Sequence, residues 1–124
     1  MARKILIADD SKSIREITRM TLQIKGYEVV ETCDGAEAGQ WLSQNECDLV
    51  ITDLAMPRMT GAELLARIRK EKPIEDLPVV VFTAETDVDR GSLIAAGANA
   101  VLKKPFSPIE LNDLVESLIG AATD

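Results

Sequence analysis

Short apolar runs alternate with longer amphipathic stretches along the whole chain, and that rhythm predicts its secondary structure. Residues 4–8, Lys-Ile-Leu-Ile-Ala, are too few for a helix and rich in β-branched side chains, so they read as a strand. Ile14, Ile17, Thr21 and Ile24 then recur at helical spacing, and Gly26 ends that helix. Residues 27–31 interrupt Tyr27, Val29 and Val30 with two glutamates, the pattern of an edge strand. Asp34-Gly35 is a turn, and a short helix over about 36–44 carries Trp41 and Leu42. Leu49-Val50-Ile51-Thr52 is a buried strand, followed by a loop through Met56-Pro57. The next helix covers about 61–70 with Leu64, Leu65 and Ile68 inward, and Gly61 eases its start. Residues 78–82 are the most hydrophobic run, another strand. A helix with a weak apolar stripe and Gly91 inside it is predicted over roughly 87–96, and a short strand over 100–102. The last helix carries Leu111, Leu114, Val115, Leu118 and Ile119 on one stripe.

Five strand–helix units in strict alternation imply an α/β domain, a doubly wound parallel sheet with helices on both faces. The near-continuous apolar strands agree, because a parallel sheet is buried on both sides. No linker or low-complexity stretch breaks the chain, so residues 1–124 are expected to form one domain with no output domain. Aromatic residues are only 3% of the chain, which makes the core aliphatic.

Composition narrows the function. A net charge of -7 argues against a nucleic-acid surface, which needs a basic patch. No apolar run approaches the roughly 20 residues of a membrane span, and residues 1–4 lead straight into a strand without a secretory signal. A cytoplasmic protein is expected. Cys33 and Cys47 lack metal-ligand spacing and are read as two reduced thiols. The chain has no histidine, so Ser-His-Asp, Cys-His and His-liganded zinc chemistry cannot be assembled. Chemistry here must run on carboxylates, hydroxyls, lysines and a hard metal ion.

The residues that follow the buried strands are suited to that. Asp9-Asp10 follows the first strand, Asp53 the third and Thr83 the fourth, and Lys104 closes the fifth. In an open parallel sheet these ends share one edge, and ligands bind in the crevice outside it. Three carboxylates brought together repel one another unless a cation neutralises them. Oxygen ligands select a hard ion such as magnesium, which takes one or two carboxylates and keeps waters. Asp10 and Asp53 are the expected direct ligands, Asp9 acts through a water, and the backbone carbonyl of Ala55 adds an oxygen. The Asp53 carboxylate can then attack phosphorus and form an acyl phosphate. Thr83 can donate its hydroxyl to one phosphate oxygen, Lys104 can pair with another, and small Ala84 leaves room at the mouth.

Asp9-Asp10, the run from Asp53 through Met56-Pro57 to Gly61, Thr83-Ala84 and Lys104-Pro105-Phe106 resemble the receiver-domain signature of bacterial two-component response regulators. The resemblance covers essentially the whole chain and is greatest to stand-alone, chemotaxis-type receivers. It implies strand order 2-1-3-4-5, a cis Lys104–Pro105 bond, and phosphoryl transfer from a sensor histidine kinase or phosphotransfer protein. It also implies output to a protein partner through the surface of the fourth helix, fifth strand and last helix. Glu85 is read either as a cap of the fourth helix or, as the resemblance implies, as a residue that flanks the pocket mouth and affects hydrolysis. One position departs from the family. A Tyr or Phe is common three residues before the lysine, where this chain has Val101, so the expected rotation of an aromatic ring has no counterpart here.

Individually, the site residues have ordinary explanations. Asp9-Asp10 would be helix-cap chemistry, Thr83 a satisfied strand end and Lys104 a solvated lysine; their convergence on one edge is what argues for function. Trp41 is read as a partly buried anchor of its helix, and Met56 and Met59 as loop packing. Two other functions use similar parts. A phosphohydrolase with an aspartyl nucleophile usually has a second aspartate two residues on, where this chain has Ala55. A phosphorylation-independent interaction module would be expected to have a damaged pocket. A flavodoxin-like cofactor binder would need a phosphate loop rich in Ser, Thr or Gly after the first strand.

Overall fold

A computed structural model of the chain describes residues 2–84 and 90–123. Five strands, β1 (Lys4–Ala8), β2 (Glu28–Thr32), β3 (Leu49–Asp53), β4 (Val79–Thr83) and β5 (Ala100–Lys103), form one parallel sheet. Its order is β2-β1-β3-β4-β5, as the resemblance implied, with β2 at an edge. The burial of the strands follows from their places. Every residue of β3 and β4 is buried, whereas β2 is largely half-buried or exposed.

The helices are α1 (Lys12–Ile24), α2 (Gly35–Leu42), α3 (Gly61–Glu71), α4 (Arg90–Ala95) and α5 (Pro108–Ile119). One core lies under α2, α3 and α4, where Leu64, Leu65, Ile68 and Leu93 meet Leu6, Val50, Val79 and Val81. The other lies under α1 and α5, where Leu22, Leu111 and Val115 meet Ile5, Ile7, Ile51, Val80 and Phe82. The alternation of strand side chains supplies both cores from the same strands. Among the described residues, no helix is long and apolar enough to cross a membrane.

Element ends follow local chemistry. Thr60 and Ser107 open α3 and α5 with reciprocal capping boxes to Glu63 and Glu110. Gly26 leaves α1 at φ +96°, a conformation that an L side chain resists. Trp41 is half-buried against the first core, Met56 is buried there, and both cysteines are free, as expected.

The structure departs from the periodicity in three places. In α1 the sheet buries Thr18, Thr21 and Leu22, while Ile17 and Ile24 are 53% and 82% exposed. Thr18 can enter the core because its hydroxyl donates to the Ile14 carbonyl at 2.8 Å. Gly61 serves close approach more than helix initiation, since a Cβ there would lie 2.2 Å from the Asp53 carbonyl oxygen. Asp9 and Asp10 do not cap α1; the cap is Ser11. The expected start of the fourth helix near residue 87, and Glu85, lie outside the described residues.

Candidate functional site

Four strand ends build the site. Asp53 is the last residue of β3 and Thr83 the last of β4; Asp9 follows β1 at once, and Lys104 follows β5. Parallel register levels these ends: Ala8 lies beside Thr52, Asp53 beside Phe82, and Thr83 beside Lys103. The chain reverses its winding between β1 and β3, so Asp9 and Asp53 flank the switch point where doubly wound sheets bind ligands. Backbone bonds hold the exits, with the Leu54 amide donating to the Phe82 carbonyl and the Lys104 amide to the Thr83 carbonyl, both at 2.8 Å.

Oxygens of Asp9, Asp10 and Asp53 lie within 4.8 Å of one another. Asp9 is almost wholly buried and accepts from the Ser11 amide at 2.9 Å. Asp10 is exposed at the rim. Asp53 is 8% exposed and Thr83 2%. The Lys104 ammonium bridges the two buried carboxylates, 3.1 Å from Asp9 Oδ2 and 3.2 Å from Asp53 Oδ1. Burial raises the Asp53 pKa, and the Asp9 charge raises it further; Lys104 opposes both, and Asp10 adds a smaller upward push. One ammonium therefore leaves the cluster short of positive charge. Among the described residues the cluster offers three carboxylate oxygens, the donor chemistry of a hard divalent cation.

Ala55 and Ala84 are exposed beside this cluster in sequence, each following a strand end. Thus the structure brings Asp9, Asp10, Asp53 and Lys104 into one constellation, with Thr83 at the neighbouring strand end. Val101 is buried on β5, in the core with Val81, Leu93 and Ala98. The expected cis bond is present at Lys104–Pro105.

Residues 5–116 match the family model described as the response regulator receiver domain. The chain belongs to the response regulator receiver domain family. A chemotaxis protein CheY homologue of Campylobacter jejuni is 37% identical over 123 residues, covering 97% of this chain and 95% of that protein. A probable transcriptional regulator, ycf27, of Porphyridium aerugineum is 39% identical over 117 residues, covering 94% of this receiver but 48% of the regulator. The receiver thus spans about half the length of such transcriptional regulators. Among solved structures, Vibrio cholerae CheY4 superposes with a TM-score of 0.87 at 35% identity, covering 95% of this chain and 99% of that one. The Thermotoga maritima response regulator TrrA, solved with Mg(2+)-BeF, gives 0.84 at 34% identity, covering 94% and 98%.

Sequence reading missed one contact near this receiver's site. Asp34, taken as a turn residue, caps α2 and accepts from the Arg58 guanidinium of the β3–α3 loop. The Asp-Gly step before a helix is a cap signal in the sequence. Nothing local signals the partner 24 residues away.

Proposed function

We propose that this receiver accepts a phosphoryl group on Asp53 from a phosphohistidine of a sensor kinase or phosphotransfer protein, and signals to a protein partner by a change of shape. The observation that carries this reading is the Asp53 carboxylate at a strand end, with Lys104 Nζ at 3.2 Å and two more carboxylates within 4.8 Å. Asp10, Asp53 and the Ala55 carbonyl would hold a magnesium ion, with Asp9 acting through a water. When bound, that ion would neutralise charge on the phosphoryl oxygens.

The chain's own groups supply the rest. An Asp53 oxygen attacks phosphorus and the P–N bond breaks, its electron pair staying on the ring nitrogen; the donor imidazole, already protonated from solvent on its other nitrogen, leaves neutral. Lys104 is already beside Asp53 and can transfer its hydrogen bonds to a phosphoryl oxygen. The Thr83 hydroxyl donates to a second oxygen, and Ala84 leaves space for the group. The protein acts only on itself, through its own phosphorylation and slow dephosphorylation, and works in the cytoplasm. Its likeness to a chemotaxis protein homologue supports output through contact with another protein.

Incubation with acetyl phosphate or phosphoramidate and magnesium, followed by intact mass measurement, tests this. Wild type should gain one phosphoryl group and Asp53→Asn none. An unmodified wild type, or equal labelling of the variant, defeats the reading.

A further inference from the structure

The loop between β3 and α3 carries Ala55 and follows directly on Asp53. Two contacts seat this loop on the start of α2. Arg58 Nε donates to Asp34 Oδ2 at 2.9 Å, and Nη2 donates to the same oxygen. Beside it, Gly35 lies so close to Met59 that a Cβ would meet the Met59 carbonyl oxygen at 2.5 Å. Asp34 itself is immobilised. Its side chain is 2% exposed, and its other oxygen accepts from the Glu37 amide at 2.8 Å, capping α2. Arg58 is the one described non-glycine residue with positive φ, at +66°. An L side chain resists that conformation, so the contacts around it must hold the loop there. The Arg58 side chain is 67% exposed, which weakens an ion pair, but the carboxylate it meets is buried and shares its hydrogen bonds between Arg58 and the Glu37 amide.

We infer that the Asp34–Arg58 pair is a latch that holds the β3–α3 loop in place for divalent-cation binding, making both positioning residues for the phosphoryl-transfer site. The inference rests on the function proposed above. A latch and a simple charge effect predict opposite signs at one position. Through charge alone, Arg58→Ala makes the neighbourhood more negative and tightens cation binding, while Asp34→Asn weakens it. Through the latch, both substitutions weaken it.

Magnesium titration calorimetry on the full chain separates the two. Asparagine caps helices as well as aspartate, so Asp34→Asn keeps α2. Alanine at 58 keeps the backbone demand while removing the guanidinium. The expected result is magnesium affinity about three- to tenfold weaker in each variant, with the double variant no worse than either single, as for one shared interaction. In metal-free protein, amide exchange over residues 54–61 should quicken in both variants while α5 stays protected. Arg58→Ala binding magnesium as tightly as wild type or tighter, with unchanged exchange, overturns the latch and leaves the proposed function standing. A wild type that binds no magnesium and takes no phosphate overturns both.

Discussion

At the residue scale, the position of Asp53 costs the folded state stability. Burial and the Asp9 charge raise its pKa, so its ionised form is costly to the folded state. The stability it contributes is present below its unfolded pKa and lost as pH rises through the folded value. Metal-free Asp53→Asn should therefore melt higher than wild type at neutral pH, by on the order of 1 kcal/mol or about 4 °C. The difference should shrink in acid, and calorimetric melts across pH measure it. Asp34 has the opposite sign. Arg58 and the Glu37 amide hold its pKa below the ordinary 3.8, so its stabilisation is present above that pH and lost below it. Wild type should exceed Asp34→Asn in stability at neutral pH, and the two should converge as the pH falls below about 4.

At the element scale, the site depends on how helices are seated on strand ends. Gly61→Ala should lower stability and disturb Asp53 together, because the added carbon would press on the Asp53 carbonyl oxygen at 2.2 Å. Amide shifts at residues 53–61 would report it, and unchanged shifts would show that the close approach is relieved elsewhere. Leu65→Ala in α3 removes a fully buried side chain and should cost about 2–5 kcal/mol in chemical denaturation. Arg69 also ties elements together. From α3 it donates to the Leu77 and Gly97 carbonyls at 2.8 and 2.9 Å and to Asn99 Oδ1 at 3.1 Å. Asn99 Oδ1 accepts in turn from the Val79 amide, which joins α3 to the starts of β4 and β5.

At the scale of the whole molecule, the proposed function asks how a phosphoryl group on Asp53 would alter a distant surface. The output surface that the family resemblance implies is that of α4, β5 and α5, and a signal reaching it must work with Val101 where a ring is common. Val101 lies buried with Leu93 of α4, so movement there requires backbone and helix displacement. Beryllium fluoride with magnesium should shift amide resonances on α4 and β5 as well as in the pocket. Shifts confined to the pocket would leave the signalling step without support. Cation binding to the folded state alone should also raise the melting temperature with magnesium concentration, as mass action requires.

Local pattern carried much of this protein. Alternating apolar runs and amphipathic stretches specified five strand–helix units, because burial on two sheet faces and one helix stripe imposes those periods. The strand ends marked Asp9, Asp10, Asp53, Thr83 and Lys104 for the same reason: a parallel sheet brings such ends to one edge. The strand order and the cis bond came from family resemblance, and the structure contains both. Only the tertiary structure decided which α1 residues face the sheet, since a hydrogen-bonded threonine can replace an isoleucine in the core. It alone also joined Asp34 to Arg58 and Arg69 to Asn99, and set one ammonium between two buried carboxylates. Periodicity is a property of neighbours along the chain. Charge pairing and pKa depend on distances across it, and those exist only once the sheet has closed.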